Sequence, residues 1–81
     1  MKAEIGKRYR HWKGHEYTVL AIGRMETDPQ KEYVVYRAEY ETADFGEGSV
    51  WLRERSVFEE QIEIDGKMVE RFSVISDTDK I

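Results

Sequence analysis

The sequence contains no cysteine, so disulfide bonds, thiolate nucleophiles, zinc–thiolate sites and iron–sulfur clusters are all excluded. Apolar runs are short. Val19–Ile22 has four residues, whereas a membrane-spanning helix needs about 20. Residues 1–5 become polar at once and show no apolar signal-peptide core, which predicts a cytoplasmic protein without membrane attachment. Neither a Gly-x-Gly-x-x-Gly fingerprint nor a P-loop occurs, so the sequence predicts no cofactor.

The chain is long enough for one small hydrophobic core. A protein of 81 residues buries roughly 60 to 65% of the surface that it exposes when unfolded. Hydrophobic residues make up 40% and charged residues 37% of the chain, which is typical of a folded domain and not of a disordered segment. We therefore expect a single domain over residues 1–81, with an N-terminal segment at 1–5 and a frayed polar tail at 76–81.

Charge is distributed unevenly along the chain. Residues 1–24 carry six basic and two acidic side chains (+4), whereas residues 25–81 carry seven basic and fifteen acidic ones (−8), which together give the net charge of −4. A net anion is unsuited to bulk DNA binding through counterion release, but the basic segment can still meet a single phosphate or carboxylate. Alternatively, the two segments are neighbouring strands whose charges neutralise each other at the surface.

Alternation of apolar and polar residues predicts six short strands joined by turns. Gly14 and the Asp65-Gly66 pair indicate hairpins, Pro29 marks a loop over Glu26–Lys31, and Glu54–Val57 has the length of one helical turn. The fold class is therefore all-β: a small antiparallel curled sheet or an SH3-like barrel, with at most one short 3₁₀ or helical turn. The predicted strands are Tyr9–Trp12, Tyr17–Ile22, Tyr33–Tyr40, Ser49–Arg53, Phe58–Ile64 and Met68–Ile75.

The same alternation predicts which side chains form the core. In the fourth strand it places Val50 and Leu52 inside, with Trp51 and Arg53 on the opposite face. The complete predicted core is Val19, Leu20, Ile22, Val34, Tyr36, Val50, Leu52, Phe58, Ile62, Phe72 and Val74.

Several short motifs stand in a fixed order along the chain. They are Tyr9-Arg10-His11-Trp12-Lys13-Gly14, Glu26-Thr27, Val35-Tyr36-Arg37, Trp51 with Arg53, Phe58, Asp65-Gly66-Lys67 and Arg71-Phe72. In these motifs the chain resembles the short bacterial family known as domain of unknown function 1653, over about residues 5 to 75. The resemblance implies a compact β domain and implies no established activity.

Few residues are suited to catalysis. Nucleophilic catalysis needs a base beside a Ser, Cys or Thr, and only His11 and His15 supply imidazoles. Their spacing suits a helical metal pair, but Gly14 places them across a turn, and a third ligand is missing. Glu26 is a candidate acid in the loop, with capping of the following turn as its alternative role. A small hydrolase or transferase using His11 and Glu26 is therefore the alternative hypothesis.

The main hypothesis is a non-catalytic binding module. Arginine offers a rigid fork of donors for a carboxylate or phosphate, and an indole can stack on a planar group. We expect a recognition surface for a peptide, a protein partner or a nucleotide-like anion, on a monomer or a homodimer. In the alternative interpretation Trp51 plugs a barrel end while the arginines pair with glutamates on neighbouring strands. The predicted binding residues are Arg37, Trp51, Arg53 and Arg71, extended by Arg10, His11 and Lys13, with Glu26 in the nearby loop.

Overall fold

Residues 2–75, the part of the chain that the computed structural model describes, form nine β-strands and one turn of α-helix. The all-β prediction is confirmed, and the helical turn lies one residue from where the sequence predicted it. The predicted tail at 76–81 lies outside the described residues. The elements are β1 (Arg8–His11), β2 (Glu16–Met25), β3 (Asp28–Ala38), β4 (Glu41–Thr42), β5 (Gly46–Glu47), β6 (Val50–Glu54), α1 (Arg55–Phe58), β7 (Gln61–Ile64), β8 (Lys67–Glu70) and β9 (Phe72–Val74).

Five strands form one antiparallel sheet in the order β6-β3-β2-β1-β9, while β4–β5 and β7–β8 are separate two-stranded hairpins. The sheet is strongly curled. The ring of Phe72 on β9 lies 5.6 Å from the ring of Tyr36 on β3, although two strands separate them in the sheet. The sheets do not close into a barrel, so the structure is the curled sheet and not the SH3-like barrel. Within residues 2–75 no helix has the length and hydropathy needed to cross a bilayer.

The 65–66 turn has the form that the sequence predicts, whereas one loop and one strand differ from the prediction. Asp65 and Gly66 both have positive φ, 53° and 80°, as a two-residue hairpin between β7 and β8 requires. The loop predicted over Glu26–Lys31 is shorter, because β3 already begins at Asp28. Pro29, which lacks an N–H, falls where the β2–β3 pairing is irregular. The last predicted strand is interrupted at Arg71, so it forms β8 and β9.

The core is mostly aromatic. Phe58 and Phe72 stack with ring centroids 4.0 Å apart, and Tyr9 and Tyr36 contact the Phe58 ring with their edges. We call the face of the five-stranded sheet that packs on Phe58 the inner face. The buried hydrophobic residues are Ala3, Tyr9, Val19, Val34, Tyr36, Ala38, Phe58 and Phe72.

The predicted core is right for β3 and wrong for β6. Trp51 pairs with Tyr36, so both lie on the inner face, whereas Leu52 pairs with Val35 on the outer face and is 64% exposed. Alternation could not decide between the faces of β6, because both carry apolar side chains. The confirmed core residues are Val19, Val34, Tyr36, Phe58 and Phe72, with Ile22 and Ile62 half-buried. The exposed ones are Leu52, Val50, Leu20 at a register shift in β2, and Val74 on the edge strand β9.

Candidate functional site

The inner face is covered at one end and open at the other. Phe58 and Ala3 bury one end. At the other end His11, Trp51 and Arg53 are only half-buried, although they project from the same face as the core. Side chains that are held by packing on one side and reach solvent on the other are suited to binding a ligand.

Arg53 is the centre of this open end. Its Nε donates a hydrogen bond to the Tyr36 hydroxyl oxygen over 3.3 Å, and its guanidinium carbon lies 5.6 Å from the centroid of the Phe72 ring. Within residues 2–75 no carboxylate oxygen lies within 4.0 Å of its nitrogens. The other six arginines of the chain each form an ion pair with a glutamate. Among the described residues Arg53 is therefore the one arginine without a counter-charge.

His11 lies beside Phe72, with the two rings in edge-to-face contact at 4.9 Å. Its Nδ1 accepts a hydrogen bond of 3.2 Å from the backbone N–H of Lys13. Burial, and then the positive charges of Arg53 and Arg71, lower the pKa of His11 below its usual 6.5. The ring is therefore neutral at pH 7, and because Nδ1 is an acceptor, its proton is on Nε2.

Arg71 lies between β8 and β9, and its backbone is hydrogen-bonded to the residue before β7 and to the residue after β1. Its N–H bonds the Glu60 carbonyl, and its own carbonyl accepts from the Trp12 N–H. The guanidinium binds Glu60 through one Nη, over 3.1 Å, while its Nε is buried without a hydrogen-bond partner. We call His11, Tyr36, Arg53, Arg71 and Phe72 the cationic aromatic cluster.

Aromatic side chains border this cluster. The Trp51 indole N–H donates to the Ser49 hydroxyl over 2.9 Å, and the exposed Phe45 ring lies edge-on at 5.2 Å. The hydroxyls of Tyr17 and Tyr40 share a 2.7 Å hydrogen bond. Burial, and then the hydrogen bond with Tyr40, raise the pKa of Tyr17, so this hydroxyl stays protonated. The border thus offers flat ring faces and the neutral Tyr17 hydroxyl.

The structure brings together only part of the predicted surface. Trp51, Arg53, Arg71 and His11 lie at the open end of the inner face. Arg37 lies on the outer face, opposite Val50, where it binds Glu39 over 2.9 Å. The prediction that Arg37 shares a surface with Trp51 was therefore wrong, because β6 presents the opposite face from the one its alternation suggested.

Two further predicted residues also lie away from the cluster. Arg10 is on the outer face of β1 and pairs with Glu16 over 2.9 Å. Lys13 lies in the first hairpin turn, with its Nζ 5.4 Å from the Trp12 ring centroid. Both side chains are exposed. Of the predicted basic extension, only His11 reaches the cluster.

The proposed catalytic pair does not meet. His11 bonds to His15 just before β2 begins, whereas Glu26 follows its last residue, so the ten residues of β2 separate them. Such a strand spans roughly 30 Å. Within residues 2–75 no group of three His, Cys, Asp or Glu side chains could hold a metal ion. His15 instead stacks on Tyr40 at 3.9 Å.

Away from the cluster, a recess of about 480 Å³ lies between β3, β6 and α1. Its arginine, Arg55, is already bound to two carboxylates: Nε to Glu59 at 2.8 Å and Nη1 to Glu32 at 3.1 Å. The hydrogen bond that Arg55 donates to Glu59, against the opposing effect of burial, raises the pKa of Arg55. This recess has its charges matched internally, so the cationic aromatic cluster is the stronger candidate site.

Comparison with known proteins agrees with the fold. The model of the family described as "Protein of unknown function (DUF1653)" matches residues 7–74. The chain belongs to this family. A crystal structure of a DUF1653 protein from Bordetella bronchiseptica is similar, with a TM-score of 0.75, 24% identity, and coverage of 89% of this chain and 87% of that one. At this identity the likeness shows the fold alone. No curated protein matches the chain.

Sequence reasoning missed the two aromatic residues that position Arg53. Tyr36 and Phe72 were predicted as core, which is correct, but their roles beside Arg53 depend on the curl of the sheet. Phe72 is on β9 and Arg53 on β6, the two edges of the five-stranded sheet. No local pattern brings opposite edges together, so the sequence carried no signal for this contact.

Proposed function

We propose that this DUF1653 protein is a non-catalytic binding module that holds a carboxylate or phosphate group of its ligand at Arg53. The ligand is a peptide, a protein partner or a nucleotide-like anion. The observation that carries the proposal is the half-buried Arg53 guanidinium, which has no carboxylate partner within residues 2–75. A partly buried charge without a counter-charge is costly, and a bound anion offsets that cost.

The donors of Arg53 support this role. Only Nε is used, in the bond to Tyr36, so the terminal nitrogens make no hydrogen bond to the described residues. Carboxylates and phosphates are commonly bound by two parallel N–H donors of one guanidinium. Contact with Tyr36 and the Phe72 ring limits the rotation of the side chain, so less conformational entropy is lost when an anion binds.

The surroundings add charge and a stacking surface. Arg71 adds a second guanidinium, whose charge is shared with Glu60, and the Nε2–H of neutral His11 is a further donor. The local charge is therefore positive although the whole chain has a net charge of −4. Trp51 lies two residues before Arg53, on the same face of β6, and offers a flat ring for a base or an aromatic side chain.

The test is a titration of isotope-labelled protein with inorganic phosphate, acetate and a nucleoside monophosphate, followed by NMR. We expect saturable shifts of the Arg53 Nε–H and Trp51 indole N–H signals, and a weaker response at high salt. Arg53→Gln should abolish the shift of the Trp51 indole N–H signal. Arg24→Gln is the matched control, because Arg24 is exposed and already bound to Glu32 and the Pro29 carbonyl.

Two results would overturn the proposal. One is the absence of saturable shifts with all three anions. The other is an equal loss of binding in Arg53→Gln and Arg24→Gln, which would indicate general charge attraction and not a site. A melting curve for each variant separates lost binding from lost folding, since surface substitutions usually change stability by under about 0.5 kcal/mol.

A further inference from the structure

β6 is an open edge of the five-stranded sheet. The Ala38 N–H bonds the Ser49 carbonyl over 2.8 Å, which fixes the pattern of the antiparallel β3–β6 ladder. In that pattern residues 49, 51 and 53 point their backbone groups at β3, whereas residues 50, 52 and 54 point theirs away. Among the described residues the Leu52 N–H and C=O therefore have no partner. An unpaired edge of this kind is a template for another strand.

The side chains along this edge are apolar and exposed. Leu52 is 64% and Val50 52% exposed on the outer face. Leu52 also borders a shallow apolar recess of about 200 Å³ that it shares with Met25, Tyr33 and Val35. Val50–Glu54 contains neither proline nor lysine, and its charged residues are Arg53 on the inner face and Glu54, which is bound to Lys31. The edge therefore combines free backbone groups with apolar surface.

We propose that two copies of this chain associate by pairing their β6 strands antiparallel, with the two-fold axis at Leu52. In this register Leu52 lies opposite Leu52 of the second copy, and the two residues exchange both backbone hydrogen bonds. The two sheets then form one continuous sheet, with five strands from each copy. The leucine side chains meet on the outer face next to Val35, and their apolar surface leaves water.

The sequence of β6 is complementary to itself in this register, which is why the occupant is a second copy. Trp51 lies opposite Arg53 of the second copy, and the relation occurs twice. This is a non-hydrogen-bonded pair, in which side chains approach most closely, and it sets an indole beside a guanidinium. Val50 lies opposite Glu54, whose carboxylate is already bound to Lys31 at 3.5 Å. No like charges face each other across the axis.

This inference does not require an anion at Arg53, although Trp51 and Arg53 take part in both proposals. Leu52 is on the outer face, whereas the cationic aromatic cluster is on the inner face. Substitution of Leu52 therefore tests the dimer, and substitution of Arg53 to Gln with the anion titration tests the site.

The first experiment measures molar mass by light scattering after size-exclusion chromatography over a range of concentrations. We expect the wild type to reach twice the chain mass of 9.6 kDa, and Leu52→Lys to stay at 9.6 kDa. Leu20→Lys is the matched control, because Leu20 is also exposed but lies on β2, two strands from the edge. This control should keep the dimer. Circular dichroism checks that each variant is folded.

The second experiment uses the absence of cysteine. A single Leu52→Cys lies opposite its own copy at a Cα separation of about 5.5 Å, which suits a disulfide. Mild oxidation should link Leu52→Cys quickly and Leu20→Cys slowly. A wild type that stays at 9.6 kDa at every concentration would overturn the proposal, as would equal linking rates. Loss of the dimer in Leu20→Lys would indicate a face-to-face contact and would overturn it too.

Discussion

Truncation of Phe58 should bring the protein close to unfolding. Phe58 is fully buried and contacts the rings of Phe72, Tyr36 and Tyr9 at 4.0, 5.3 and 5.5 Å. Replacing a buried Phe by Ala costs about 3 to 5 kcal/mol, including the cavity that remains. A domain of this length has a free energy of unfolding of about 4 to 12 kcal/mol. Phe58→Ala therefore removes a large part of it.

A matched control is Phe45→Ala. Phe45 is 65% exposed and contacts one ring, that of Trp51, at 5.2 Å. An aromatic pair contributes about 0.5 to 1.5 kcal/mol, and exposure places Phe45 at the low end. Urea unfolding followed by circular dichroism measures both variants. For a domain this small, the thermal midpoint falls by about 4 to 8 °C per kcal/mol, so Phe58→Ala should lose more than about 12 °C.

If Phe58→Ala is too unstable to purify, Phe58→Leu supplies the comparison. It keeps most of the volume and loses the ring contacts, so it should cost less than Phe58→Ala and more than Phe45→Ala. The packing account is refuted if Phe58→Ala unfolds within about 1 kcal/mol of the wild type, or if the Phe45 variant is destabilised as much.

Three further predictions concern protonation, an ion pair and a turn. Since the folded pKa of His11 is lowered, the unfolded chain takes up the proton first, so stability should fall as pH drops below about 6.5. The His11→Gln variant should not show this loss of stability when urea unfolding is compared at pH ~7.5 and pH ~5.5. Glu59→Gln removes the charge that binds Arg55 and should cost about 1.5 to 3 kcal/mol in urea unfolding. Gly66→Ala should cost about 1 to 2 kcal/mol because φ there is +80°, whereas Gly23→Ala, at ordinary φ, should be neutral or stabilising in the same melting assay.

Local patterns predicted those parts of the fold that local chemistry decides. The Asp65-Gly66 turn needs positive φ at both residues, and this pair is among the few that accept it. The alternation in β3 identified Val34 and Tyr36 as buried, because the charged Arg37 marks the opposite face of the strand as the exposed one. In β6 the apolar side chains are divided between the faces, with Val50 and Leu52 on one and Trp51 on the other, so the pattern does not decide which face is buried. The direction of β6 is decided by its pairing with β3, which is a long-range contact.

The residues of the candidate site were likewise predictable from the sequence only in part. Arginine and tryptophan in one short strand directed attention to Trp51 and Arg53, and these residues do lie together. That prediction rested on residue type. Which neighbours they have depends on the curl that brings Phe72 over from the opposite edge, and on the ion pair that occupies Arg37 on the other face. Neither can be read from spacing along the chain.

The backbone of Arg71, between β8 and β9, is hydrogen-bonded on both sides. Its N–H is bonded to the carbonyl of Glu60, at the start of the β7–β8 hairpin, and its C=O to the N–H of Trp12, at the end of β1. The peptide units on either side of this residue are thus each held by one backbone hydrogen bond. An anion held by the Arg71 guanidinium would restrict the motion of this residue and so stabilise both backbone bonds. Slower amide hydrogen exchange at Arg71 and Trp12 in the presence of the anion would record this effect.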